Sequence, residues 1–100
     1  VSFTYRFDWD PAKALANRKR HDGVSFELAA TVLRDPLAVS IYDDANSETE
    51  DRWITLGQAG NGQLLVVVHT FDEIDAESAL VRLISARKAT SPERRHYEDR

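Results

Sequence analysis

Histidine, arginine, lysine, glutamate and tyrosine are spread through the second half of this chain in an order that suits one reaction. His69 lies near the end of the apolar run 63–71. Arg82, Arg87 and Lys88 lie along the segment after it, and Glu93, Arg94, Arg95, His96 and Tyr97 follow. In metal-independent RNA cleavage the substrate's own 2′-hydroxyl attacks the adjacent phosphate. The protein supplies a base for that proton, cations for the charge on the phosphorane, and an acid for the leaving 5′-oxygen. Imidazole generally titrates near neutrality and can fill either proton role, while arginine holds phosphate oxygens through a fixed fork. Trp53 or Tyr97 would stack a base, and Arg82 and Arg95 would add cations along the RNA.

Each residue has a plainer use. A histidine on an apolar strand is usually a hydrogen-bonded core residue, and Arg82 and Lys88 could be edge charges that discourage sheet-to-sheet pairing. Trp53 suits packing, and Arg94 and Arg95 could pair with Glu93 and Glu98 on a solvated helix. His21, His69 and His96 show no ligand spacing, so no metal site is expected. There is no glycine-rich phosphate loop and no serine elbow.

The elements that must position these groups follow from pattern. Residues 63–71 form the longest apolar run, β-branched and preceded by a Gly60-Asn61-Gly62 turn, which reads as a strand buried on both faces. Residues 3–9 alternate aromatic and polar, the signature of a half-buried strand. Asp10-Pro11 opens a helix that ends near Asp22-Gly23, with Gly23 as the residue beyond the cap. Ser25 caps a second helix, stopped by Asp35-Pro36. Strands are expected over 37–42, 52–57 and 79–88, the second forming a hairpin with the apolar run. Residues 43–51 and 71–77 read as acidic loops, the former too polar to pack. Ser91 caps a short last helix with Pro92 as its first residue.

The expected fold is therefore α+β: a strand, two helices, an antiparallel meander of about three to four strands, and a short C-terminal helix, with the helices on one side of the sheet. A two-residue period places Arg82, Ile84, Ala86 and Lys88 on one strand face and Val81, Leu83, Ser85 and Arg87 on the other. A bulge would change that assignment. His69 and the cationic segments are expected to meet around one phosphate-sized hollow.

One hundred residues, 42% of them hydrophobic, suit a single domain over 1–100. Without cysteine there is no disulfide, thiol nucleophile or thiolate-bound zinc, which fits a reducing cytoplasm. No apolar stretch approaches a membrane span, and the opening residues lack a signal peptide's apolar region, so no membrane partner is expected. The net charge of −4 is uneven. Residues 43–51 hold five acids and no base, whereas residues 81–100 hold six bases and three acids. Such a chain can bind phosphate locally while binding nucleic acid weakly without specificity.

Several motifs together resemble the BrnT toxin family. They begin with Phe7-x-Trp9-Asp10-x-x-Lys13, Asn17 through His21, and Gly23-Val24-Ser25-Phe26-Glu27-x-Ala29. They continue with Arg52-Trp53-Ile54-x-x-Gly57, Val66-Val67-Val68-His69-Thr70 and the segment from Ile84 to Glu98. The resemblance covers nearly the whole chain. It implies a RelE-like fold and a ribonuclease toxin of a type II toxin–antitoxin module. The implied partner is a BrnA-like ribbon-helix-helix antitoxin, with DNA reached only through that complex. Matching positions that the resemblance marks as catalytic candidates are His69, Arg87, Lys88, Glu93, Arg94 and Tyr97, with Arg52 and Trp53 in support. Asp22 intervenes between His21 and Gly23, where the family usually runs straight from histidine to glycine, and the loop 71–79 is longer than expected. The alternative is a catalytically weak module that mainly holds its antitoxin in a repressor complex.

Overall fold

The computed structural model describes residues 3–99; Val1, Ser2 and Arg100, the last counted above with the basic end, lie outside them. Strand β1 (Thr4–Asp8) leads into α1 (Pro11–Arg20), α2 (Phe26–Ala30) and a 3₁₀ turn at Thr31–Arg34. Strands β2 (Val39–Tyr42), β3 (Trp53–Gln58), β4 (Leu64–His69), β5 (Asp72–Asp75) and β6 (Ser78–Lys88) follow, and α3 (Ser91–Glu98) completes the fold. The strands form one sheet in the order β1-β6-β4-β3-β2, with β5 also on β6. This is the expected α+β class, with two corrections to the sheet. β1 joins β6 in parallel, so the sheet is mixed. Residues 72–75 are a strand rather than a loop, so five strands follow α2 instead of three or four, six in all with β1. All four β5 residues are exposed, so no burial pattern marks it. The long β6 edge beyond β4 supplies its hydrogen-bond partners.

β4 is buried from both sides, as its composition demands. Leu65 and Val67 pack with Phe26, Ala29 and Val32 of the α2 region and with Val81, Leu83 and Ala86 of β6. Leu64 and Val66 face the opposite way, in a smaller cluster with Leu56, Ile54, Ala89 and Tyr97. Thus α1 and α2 cover one face and α3 the other, and the helices are not all on one side. The packing beside β3 is close: a Cβ added to Gly57 would lie 2.9 Å from Val32 Cγ1 and 3.2 Å from Asp35 Oδ2. Only glycine lets the 3₁₀ turn approach β3 so nearly.

Helix ends set the positions of the polar groups. The Asp10 carboxylate accepts from the Ala12 N–H at 2.8 Å, and Ser25 caps α2 as expected by accepting from Leu28 N–H. Beyond α1, the left-handed conformation begins at Asp22 (φ 53°), one residue before Gly23 (φ 80°). The Gly23 N–H returns to the Arg18 carbonyl at 2.8 Å, closing a Schellman turn. The cap of α3 is also one residue earlier than expected. Thr90, not Ser91, is the N-cap, and it forms a reciprocal capping box with Glu93. In the 43–51 segment Asp43 is buried after all, accepting two bonds from the Asn46 amide.

Candidate functional site

A bulge in β6 decides which cations can act together. Val68 pairs with Ser85 but His69 pairs with Leu83, so β6 carries one extra residue at Ile84. Val81, Leu83 and Ala86 therefore all point into the α2-side core, and Arg82 and Arg87 both emerge on the α3 side. The regular period expected from sequence had separated them. On that face each arginine meets a carboxylate. Arg82 pairs with Glu50, which also takes Arg52 at 3.5 Å. The hydrogen bond from Arg82 holds the Glu50 carboxyl below its ordinary range. Arg52 Nε is buried with no hydrogen-bond partner among the described residues.

Arg87 forms a two-pronged fork with Glu93: Nη1 to Oε1 and Nη2 to Oε2, each at 2.8 Å. Oε1 also accepts from the Thr90 N–H and hydroxyl. The Arg87 guanidinium, with help from Thr90, holds the Glu93 carboxyl down to about 2. The pair therefore stays charged throughout the neutral and mildly acidic range. Lys88, Arg94 and Arg95 are exposed and make no ion pair among the described residues.

At the end of β6 a second element arrives. Asn17, 7% exposed, is the only buried side chain of α1. Its amide donates to the Ala86 carbonyl at 2.8 Å and to the Val24 carbonyl at 3.1 Å, while its oxygen accepts from the Ala86 N–H at 3.0 Å. β1 ends its pairing at Asp8↔Arg82, so the Asn17 amide continues the ladder where the strand stops. This clamp brings the end of α1 to the end of β6. There Arg20, His21, Asp22, Arg87, Lys88 and Thr90 line a cleft of ≈ 290 Å³.

His69 is elsewhere. It points to the α2 side with Leu65 and Val67, is 2% exposed, and lies across the sheet from Arg87. Its Nδ1–H donates to the Thr70 carbonyl at 2.8 Å, so Nε2 accepts from the Thr55 hydroxyl at 2.6 Å. Thr55 in turn accepts from Ser40 at 2.7 Å. Burial pushes the ring's pKa down, outweighing the Thr70 bond that would raise it. The expected meeting of His69 with the cationic segments does not occur. Trp53 shares the His69 face, edge-on to Tyr42 at 5.3 Å, and with Tyr5 and Phe71 it helps line a cleft of ≈ 490 Å³. Arg52, its neighbour in sequence, points to the other face. The Tyr97 hydroxyl donates to Asp35 Oδ2 at 2.5 Å, and the same carboxylate accepts from the Gln58 and Leu37 N–H groups. That contact ties α3 to the 3₁₀ turn and β3.

A family model described as the ribonuclease toxin, BrnT, of type II toxin–antitoxin systems matches residues 9–93. The chain belongs to the BrnT family. No curated protein matches it. Membership makes this a ribonuclease toxin of a type II module, a class that implies an antitoxin partner. Among the described residues no helix is long and apolar enough to cross a membrane, and no three His, Asp or Glu side chains are grouped as metal ligands would be.

Two features of this BrnT-family chain escaped sequence reasoning. The Asn17 clamp left one signal: Ala14, Asn17 and His21 fall on one side of α1 at three- and four-residue spacing, whereas Leu15 is exposed. Asp35 left less, because an Asp-Pro pair reads simply as a helix stop.

For His69 the expected result of alanine substitution is a loss of about 2–4 kcal/mol of stability, from a cavity and two stranded polar groups. The cutting rate of the folded fraction should stay within a few-fold of the parent. The ring is neutral in the fold and its pKa lies below the ordinary 6.5, so the unfolded chain binds the extra proton. The contribution is complete above 6.5 and falls as pH drops below it. Melting curves of His69→Ala and the parent between pH 5 and 8, with rates on RNA, test both statements.

Proposed function

We propose that this toxin cuts RNA without a metal, by driving the substrate's 2′-hydroxyl onto the neighbouring phosphate, in the cleft where α1, β6 and α3 meet. The observation that carries this reading is the gathering of Arg20, Arg87 and Lys88 around one hollow. Three of the five N–H donors of a guanidinium are engaged in Arg87, by Glu93 and the Lys88 carbonyl; the others remain for a phosphate. Glu93 and Tyr97 act by position in this reading, one holding the Arg87 fork and the other fastening α3. Lys88, Arg94 and Arg95 track the RNA backbone, with Arg82 and Arg52 further along the α3 face. Trp53 lies on the other face and takes no part at this cleft, and His69 supports the sheet. A BrnA-like ribbon-helix-helix antitoxin would neutralise the toxin and carry it to DNA.

The test is cleavage of an end-labelled single-stranded RNA in excess chelator. Cutting should leave a 2′,3′-cyclic phosphate and a 5′-hydroxyl, and the all-deoxy oligonucleotide should survive. Loss of cutting in chelator, or equal cutting of the deoxy strand, would overturn the mechanism. A chain that cuts neither but captures a ribbon-helix-helix protein would be the co-repressor module instead.

A further inference from the structure

We infer that His21, at the C-cap of α1, is the proton carrier of RNA cleavage in this cleft, an inference that rests on the reading above. The geometry starts from Asn17. That residue is clamped to Ala86, and His21 lies one helical turn further on the same side of α1, while Lys88 lies two residues further on the same side of β6. Two rigid elements fixed to each other at one level must stay together at the next. His21 thus comes to the cleft wall alongside Lys88, and both line the hollow with Arg20, Asp22, Arg87 and Thr90.

The ring is in a state suited to that work. It is half-buried rather than sealed, and its nitrogens make no hydrogen bond to the described residues. Its own main chain is fully occupied: the N–H goes to the Asn17 carbonyl at 2.9 Å, and the carbonyl accepts from Val24 at 3.1 Å. The backbone is therefore held and the imidazole is left to the cleft. His69 has the opposite arrangement, with both ring nitrogens committed. Charged groups facing His21 are Arg20 and Asp22 from its own segment and Arg87 and Lys88 from β6, with Glu93 of α3 behind Arg87.

The step balances without a co-reactant. The ring takes the proton of the 2′-hydroxyl as that oxygen forms its bond to phosphorus. The bond from phosphorus to the 5′-oxygen breaks, and that oxygen is protonated from water. The imidazolium then returns its proton to solvent. Arg87 and Lys88 carry the charge on the phosphorane oxygens while this happens.

The decisive experiment follows single-turnover cutting of labelled RNA in chelator between pH 5 and 9, for the parent, His21→Ala and His21→Gln. His21→Ala should cut about 10²–10⁴-fold more slowly, lose the pH-dependent limb seen in the parent, and regain part of its rate with free imidazole. RNA affinity and the melting midpoint should move little. His21→Gln, which keeps a polar ring-sized group, should be equally slow and should control for any loss of folding in the alanine variant. A parent that cuts while both variants cut within a few-fold, with the same pH profile, would overturn the assignment alone. So would a slow variant whose defect is matched by an equal loss of RNA affinity. A parent that does not cut in chelator would instead bring down the metal-independent reading and this inference with it.

Discussion

Asn17→Ala is expected to destabilise the protein by about 3–5 kcal/mol and to lower the melting midpoint by roughly 12–30 °C. The contacts of the amide set the size of that loss. Removing it strands the Ala86 N–H, the Ala86 carbonyl and the Val24 carbonyl, all bonded to a side chain that is 7% exposed. Each buried polar group left unmade costs about 1–3 kcal/mol, and relaxation recovers part of that. Against a typical domain stability of about 5–15 kcal/mol the loss is large. Asn17→Asp should be nearly as damaging, because it replaces a donor with a carboxylate oxygen aimed at two carbonyls. Denaturant titrations of both variants provide the measurement. A loss below about 1 kcal/mol for Asn17→Ala would mean that water replaces the amide and that α1 is not held by it. The clamp also bears on chemistry, since it brings Arg20 and His21 to β6.

How much of this was legible beforehand depended on whether the signal was local. β4 could be read because burial on both faces leaves no polar position, and the caps at Asp10 and Ser25 because a capping residue acts within three positions of itself. The one-residue slip at Thr90 arose because Thr90 and Ser91 can both cap, and only the return bond from Glu93 chooses between them. The parallel pairing of β1 and the existence of β5 are decided by open edges of β6, which no short window contains. The bulge at Ile84 mattered most. It moved Arg87 to the α3 side by adding a single residue, and nothing in Leu83-Ile84-Ser85-Ala86 announces it. His69 was legible as a core histidine from its apolar neighbours and as a reactive one from its type. Its side of the sheet settled where it lies, with Thr55 and Thr70 occupying its ring nitrogens. The family resemblance held because it rests on ordered motifs along the chain rather than on any face assignment.

Arg87→Ala should slow RNA cleavage by about 10²–10³-fold, the usual cost of removing a preorganised group that meets developing charge. Stability should hardly change. The Arg87 and Glu93 side chains are 41% and 31% exposed, and pairs so open to water contribute about 0–1 kcal/mol. Glu93 would also keep the Thr90 N–H and hydroxyl as partners. Slow cutting by a folded variant therefore separates chemistry from folding, which His69→Ala cannot do. Arg87→Lys should recover only a small part, because an ammonium keeps the charge and loses the fork that Glu93 orients. Glu93→Gln distinguishes two roles for the carboxylate. If Glu93 merely competed with phosphate for Arg87, its neutral analogue would bind RNA more tightly and cut at least as fast. The fork at 2.8 Å on both prongs argues for orientation instead, so Glu93→Gln should cut more slowly than the parent but faster than Arg87→Ala. Equal rates for Arg87→Ala and the parent would remove the phosphate from this cleft and move the search for the reaction to the far side of the sheet.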